Sequence, residues 1–216
     1  MAKKHEIPAG RGYHHGNLRQ ALLDAALALI EVGEEQGVSL RTVAARAGVS
    51  NAAPYRHFQD REALMAAVAT IGFDRLLESL RRARESAGEG EELLANAMAY
   101  LDFASKNIGL YRVMFTENHL VIRFDEGLAR SSTAAFQELQ DVVGARLPAT
   151  CGEGEAKRVA TAIWAGLHGT ALLASGRLIP VGGPRAQAEA TAVARLLIER
   201  FSEPKGPTRR RAAGRS

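Results

Sequence analysis

The chain has 216 residues, of which 46% are hydrophobic and 24% are charged, an ordinary composition for a globular protein with room for two small domains. Its formal net charge is +4, but the last 14 residues carry five basic side chains against one acidic one, so the other 202 are neutral on balance. A single cysteine, Cys151, excludes an internal disulfide, and no apolar run approaches the length of a membrane span. We therefore expect a cytoplasmic protein that makes no membrane contact.

Residues 1–16 combine Pro8 and three glycines with scattered basic residues, a pattern that predicts a mobile N-terminal arm. His14 and His15 could belong to a metal site, but no third ligand follows at metal-binding spacing, so arm residues near a partner are the favoured interpretation. Asn17 then caps a long helix with an apolar stripe from Leu18 to Ile30, which a glycine at 33 or 37 ends.

Two short helices are predicted to follow. Ser39 can cap the first of them, and Gly48 ends it. Ser50 or Asn51 can cap the second, which ends near Gln59. Two short helices across a tight turn make a helix-turn-helix, and with the preceding helix it forms a predicted DNA-binding domain at 17–62, with Phe58 in its core.

The side chains of the second short helix suit a DNA surface. Asn51 can read adenine, and the methyl groups of Ala52 and Ala53 can contact thymine. Phosphate donors follow in the next turn, where Tyr55, Arg56 and His57 stand together, and Arg61 follows an Asp60 that can cap the next helix. This helix is therefore the one predicted to enter the major groove.

Helical periodicity continues through the rest of the chain, over 60–86, 93–103, 110–115, 125–147, 156–175 and 185–201. Gly72 lies inside the first of these helices and is either a tolerated glycine in a packed helix or a hinge. No segment has the period of a strand, so we expect an all-α fold of about nine helices, with a ligand-binding and dimerisation domain at 63–202. The basic tail at 203–216 is expected to be disordered, or else to add a non-specific phosphate contact.

Three motifs resemble the TetR family of bacterial transcriptional regulators. They are Ala-Gly-Val-Ser at 47–50, Pro-Tyr-Arg-His-Phe at 54–58 and Asp-Arg-Glu-Ala-Leu at 60–64. Pro54 departs from the family, which has Leu or Ile there more often, and proline is harmless only in the first turn of a helix. The resemblance and the chemistry together give these candidate DNA-binding residues: Thr42, Ser50, Asn51, Ala52, Ala53, Tyr55, Arg56, His57 and Arg61.

A further motif, Trp164-Ala-Gly-Leu-His168-Gly169, resembles the Trp-x-x-x-His-Gly signature of one C-terminal domain type in this family. Trp164 and His168 share a helix face, where they either fill and satisfy the core or line an effector pocket. The resemblance also implies that the last two helices pair with those of a second subunit in a homodimer. The candidate ligand-binding residues are Phe73, Leu77, Leu101, Tyr111, Met114, Phe115, Trp164 and His168.

We expect a repressor that binds a palindromic double-stranded DNA operator and needs no cofactor. The resemblance to the TetR family implies that a small, largely apolar effector releases it from this operator. An activator of the same fold, or a ligand-binding module that does not regulate transcription, are the alternatives. Catalysis is not expected, because Cys151 has no adjacent histidine and no nucleophile, phosphate-loop or metalloprotease motif occurs.

Overall fold

The structure is a computed structural model that describes residues 18–116, 125–148, 150–176, 178 and 183–202. Within these ranges it contains helices and no strand, which confirms the all-α prediction. The predicted arm at 1–16, with its histidines, the Asn17 cap and the basic tail at 203–216 lie outside the described residues. The helices are α1 (Leu18–Glu31), α2 (Leu40–Arg46), α3 (Arg61–Ser86), α4 (Glu92–Lys106), α5 (Ile108–Thr116), α6 (Glu126–Arg146), α7 (Glu153–Ser175) and α8 (Gly183–Ser202), with single 3-10 turns at Glu35–Gly37 and Pro54–Arg56.

The count of about nine helices is close to the eight α-helices found in the described ranges. The difference lies in the second short helix of the helix-turn-helix, which is a single 3-10 turn. Two helix starts also differ from the sequence pattern, since α7 begins at Glu153 and α8 at Gly183. The first turn of α7 is rich in Gly and Glu and carries no apolar stripe, so periodicity alone placed its start too late.

The chain forms two compact units, one ending at Leu64 and the other beginning at Met65. In the first unit, local hydrogen bonds hold the start of α2. The Ser39 hydroxyl accepts the Thr42 backbone N–H at 3.1 Å, and the Thr42 hydroxyl accepts the Ser39 N–H at 2.8 Å. This reciprocal capping box confirms the predicted cap. Gly48 has a φ of +70°, which confirms that glycine stops this helix.

The core of the first unit is apolar. Leu22, Val43 and Phe58 are buried, and the guanidinium carbon of Arg19 lies 5.4 Å from the centre of the Phe58 ring. Phe58 is therefore a core residue, as predicted. Because this side chain anchors the segment after α2, the neighbouring positions 55–57 keep a defined placement on the surface.

In the second unit, α4 packs against α5, α6, α7 and α8, and α7 packs against α6 and α8. Asp125, the first residue of the predicted helix at 125–147, caps α6 by accepting the Leu128 N–H at 2.8 Å. Gly72 lies in the uninterrupted helix α3, and a Cβ atom there would stand 2.6 Å from Cγ and Sδ of Met114. The glycine therefore permits a close approach of α5 to α3, which agrees with the packed-helix interpretation.

Candidate DNA interface and effector site

The segment after α2 presents a row of exposed side chains, most of which are polar. Ser50, Asn51, Ala52, Arg56 and His57 are exposed, and the Tyr55 side chain is 63% exposed. Pro54, which begins the 3-10 turn, is buried and Ala53 is half-buried. The buried proline and Phe58 thus stand on either side of a surface that consists of Tyr55, Arg56 and His57.

The prediction that Ser50 or Asn51 caps this helix is wrong. The turn begins after Ala53, and no side chain caps it. Pro54 occupies the first position and has no N–H, so the turn has one fewer donor to satisfy. Pro54 lies in the first turn of this short helix, which is the only place where we expected a proline to be harmless. Without a capping bond to make, the side chain of Asn51 can turn outward.

Two predicted DNA-binding residues have structural roles. The Thr42 hydroxyl belongs to the capping box and lies 2.9 Å from the Gly37 carbonyl oxygen, to which it donates. The Nε of Arg61 donates to the Val38 carbonyl oxygen at 2.8 Å. The adjacent Asp60 caps α3, as predicted, by accepting the Ala63 N–H at 2.8 Å. These bonds fix the starts of α2 and α3, and a DNA contact by Thr42 or Arg61 stays a prediction.

In the second unit, aromatic rings from five helices form a contiguous group, which we call the aromatic cluster. Phe115 of α5 lies at its centre, 4.7 Å from the ring of Tyr111 and 4.5 Å from the ring of His168. Its other rings belong to α3, α4, α6 and α7. The cluster consists of Phe73, Tyr100, Tyr111, Phe115, Phe136, Trp164 and His168.

A hydrogen-bonded network joins four polar side chains of this cluster. The Tyr111 hydroxyl lies 2.6 Å from Nδ1 of His168 and 2.8 Å from the Tyr100 hydroxyl. The Tyr100 hydroxyl lies 3.2 Å from the same imidazole nitrogen and accepts the Trp164 indole N–H at 3.1 Å. Trp164 and His168 therefore contact the same tyrosine from one face of α7.

Burial keeps both phenols of this network protonated. Desolvation raises the pKa of Tyr100 to about 12, although its hydrogen bonds with Tyr111 and Trp164 act in the opposite direction. Desolvation also raises the pKa of Tyr111, and the nearby Tyr100 raises it further. Both hydroxyl groups are hydrogen-bond donors at any physiological pH.

The structure brings five of the eight candidate ligand-binding residues into the aromatic cluster. Of the others, Met114 packs against Gly72, Leu101 is buried on α4 and Leu77 is half-buried on α3. Tyr100 and Phe136 were not among the predicted ligand-binding residues. Tyr100 lies on the buried face of α4, at helical spacing from Leu93 and Ala97, so its position in the core could be read from the sequence, whereas its partners could not.

One buried carboxylate was also missed. Glu138 of α6 is only 4% exposed, and its carboxylate oxygens lie 3.1 Å from Nη1 of Arg84 and 3.5 Å from Nε of Arg81. Both arginines belong to α3, so these ion pairs hold α6 to α3. Phe136, two residues earlier on α6, contacts Trp164 with a ring separation of 5.1 Å. The same stretch of α6 thus contacts the aromatic cluster and α3.

The environment of Cys151 does not activate it as a nucleophile. Local desolvation and the neighbouring Glu155 carboxylate raise the pKa of its thiol, whereas a reactive cysteine needs a lowered one. No described helix combines the length and the apolar character that crossing a lipid bilayer requires.

Two family models match the chain. The model of bacterial regulatory proteins of the tetR family matches residues 22–68, and the model of the tetracyclin repressor-like C-terminal domain matches residues 93–201. The chain belongs to the TetR family. Members of this family are transcriptional regulators with an N-terminal DNA-binding domain and are generally not enzymes, and the fold of this chain is that of the family.

Known relatives of this TetR-family chain include the nucleoid occlusion factor SlmA of Idiomarina loihiensis, 31% identical over 102 residues, and the uncharacterised HTH-type regulator YobS of Bacillus subtilis, 26% identical over 104 residues. The matches cover 45% and 48% of the chain and 50% and 54% of the relatives, so the chain spans about half the length of each. A solved structure of a protein of unknown function from Rhodococcus sp. RHA1 is 32% identical, with a TM-score of 0.75 over 90% of this chain and all of that one.

Proposed function

We propose that this regulator is a homodimeric repressor that binds a palindromic operator through a domain at 17–62 and leaves it when a small, largely apolar effector binds the domain at 63–202. The exposed row at 55–57, held between the buried side chains of Pro54 and Phe58, is the observation that carries the proposal. A turn anchored on both sides presents its side chains to DNA with little loss of conformational entropy on binding.

We call the mostly exposed segment at 50–57 the reading surface and assign two kinds of DNA contact to it. Ser50, Asn51 and Ala52 lie ahead of the turn and face base edges, where small side chains permit a close approach. Tyr55, Arg56 and His57 contact phosphates, which set the register of the protein on the duplex. Pro54 begins the turn, and its missing N–H costs this surface no hydrogen bond.

Exposed leucines support the dimer. Leu172 and Leu173 of α7 are exposed, and Leu196 of α8 is 64% exposed. Large apolar side chains in this position bury their surface when a second subunit packs its own α7 and α8 against them. A two-fold dimer then presents two reading surfaces to the two halves of a palindrome.

The effector site is assigned to the aromatic cluster. Phe73 belongs to α3 and contacts Phe115 edge to face at 5.3 Å, and α3 is one continuous helix that begins at Arg61 in the first unit. An effector that displaces the Phe115 ring changes the packing of α3. A shift of α3 moves the reading surface, which lowers affinity for the operator.

The test compares two arginines on a selected operator. Arg56→Ala is expected to weaken binding about 10-fold and to lower the salt slope by about one unit for each protomer, since one phosphate contact is lost. Arg82→Ala is the matched control, because Arg82 is an exposed residue of α3 in the second unit, and it should change neither quantity. Unchanged affinity in Arg56→Ala would exclude Arg56 from the interface.

A further inference from the structure

Every proton arrangement that satisfies all donors of the hydrogen-bond network in the aromatic cluster uses Nδ1 of His168 as an acceptor. The Trp164 indole nitrogen can only donate, and it donates to Tyr100. If Tyr100 donates to Tyr111, and Tyr111 donates across 2.6 Å to Nδ1 of His168, every hydroxyl proton has an acceptor. A proton on Nδ1 would reverse the chain and leave the Tyr100 proton without an acceptor among these four side chains. Nδ1 of His168 is therefore the acceptor at the end of the chain.

The side-chain amide of Asn96 carries hydrogen-bond donors that have no acceptor in this network. The side chain is 2% exposed, and its Nδ2 has no hydrogen-bond partner in the part of the chain that the structure describes. Asn96 lies on the buried face of α4, one helical turn before Tyr100. The Nδ2 group of Asn96 is therefore a buried donor without an acceptor, which costs stability unless another molecule supplies one.

We propose, on the premise that the aromatic cluster is the effector site, that the effector is a carbonyl compound with an apolar, ring-containing body. Its carbonyl oxygen accepts a hydrogen bond from Nδ2 of Asn96, and its body packs against the rings of Phe115 and Trp164. Both residues are half-buried, so part of their surface is accessible to a small molecule. A protonated amine offers only donors to the unpartnered Nδ2 group of Asn96, whereas an alcohol brings one donor together with its acceptor.

The experiment uses three probes of the same shape, 4-phenylbutan-2-one, 4-phenylbutan-2-ol and 4-phenylbutan-2-amine, with butylbenzene as the apolar reference. Trp164 is the only tryptophan of the chain, so its fluorescence reports binding in the cluster. We expect the ketone to bind about 10-fold more tightly than the amine, with the alcohol between them. In Asn96→Leu the ketone should bind no better than butylbenzene. Gln137→Leu removes an exposed amide of α6 and should keep the preference for the ketone.

The outcomes separate the two claims. If butylbenzene binds but the ketone has no advantage over the amine, or Asn96→Leu keeps that advantage, the carbonyl assignment is overturned and the site survives. If none of the four compounds changes the Trp164 fluorescence, the effector site itself is overturned. The ranking of the probes on the unaltered protein decides the question even if Asn96→Leu does not fold.

Discussion

Replacing Tyr111 by phenylalanine tests whether the network holds the second unit together. The side chain is 1% exposed, and its hydroxyl bonds to both Tyr100 and His168. Tyr111→Phe removes only this oxygen and leaves the buried Tyr100 hydroxyl and the half-buried His168 imidazole without their shared partner. Each such group costs about 1–3 kcal/mol, and the remaining 3.2 Å contact between Tyr100 and His168 recovers part of the loss. We expect a net loss of about 2 kcal/mol.

The assay is thermal and urea unfolding followed by circular dichroism at one protein concentration, since a dimer's stability depends on concentration. For a chain of this length, 2 kcal/mol corresponds to a fall in Tm of about 4–8 °C. Tyr55→Phe is the matched control, because Tyr55 is 63% exposed and should lose operator affinity but no stability. Equal stability of Tyr111→Phe and the unaltered protein, or an equal loss in Tyr55→Phe, would refute the role of the network.

Two further predictions concern helix packing and pH. A Cβ at Gly166 would stand 2.6 Å from both Cδ atoms of Leu197, whereas a Cβ at Gly144 meets nothing within 4 Å. In urea unfolding, Gly166→Ala should therefore be less stable than Gly144→Ala by about 1–3 kcal/mol. Equal stability of the two variants would show that α7 and α8 are not this close. Between pH 10 and 12 the Tyr100 phenol deprotonates more readily in the unfolded state than in the folded one, so Tyr100 alone should lower the free energy of unfolding by about 2 kcal/mol as pH rises, and the raised pKa of Tyr111 adds to this fall. Tyr100→Phe should make the fall smaller, and an unchanged slope would contradict the prediction.

The parts of the fold that were predictable from the sequence are those that local chemistry determines. Ser39, Asp60 and Asp125 each bond to a backbone N–H three residues away or fewer, so the residue types alone indicate the helix starts. Gly48 adopts a positive φ that few other residues tolerate. The motifs shared with the TetR family also helped, because their order along the chain indicates which residues around the turn are buried and which are exposed.

Long-range contacts explain what the sequence did not reveal. Trp164 and Tyr100 are 64 residues apart, and nothing in the local pattern of either helix indicates that they form a hydrogen bond. Glutamate usually lies on the protein surface, because burying its charge costs free energy. The two arginines of α3 pair with the Glu138 carboxylate and offset this cost, and the local sequence does not show that they approach it. The 3-10 turn at Pro54–Arg56 was mistaken for a longer helix because its side-chain pattern suits either structure over so few residues.

The central claim is that this TetR-family protein binds a specific two-fold symmetric operator. The most direct test is to select genomic DNA fragments with the purified protein, footprint the best fragment and titrate it with salt. We expect a discrete, symmetric protected site over a promoter with a dimer bound, and we expect Arg56→Ala to need about 10-fold more protein for the same protection. Weak, steeply salt-dependent binding with no preferred site would contradict it, because phosphate contacts alone would then account for all the affinity.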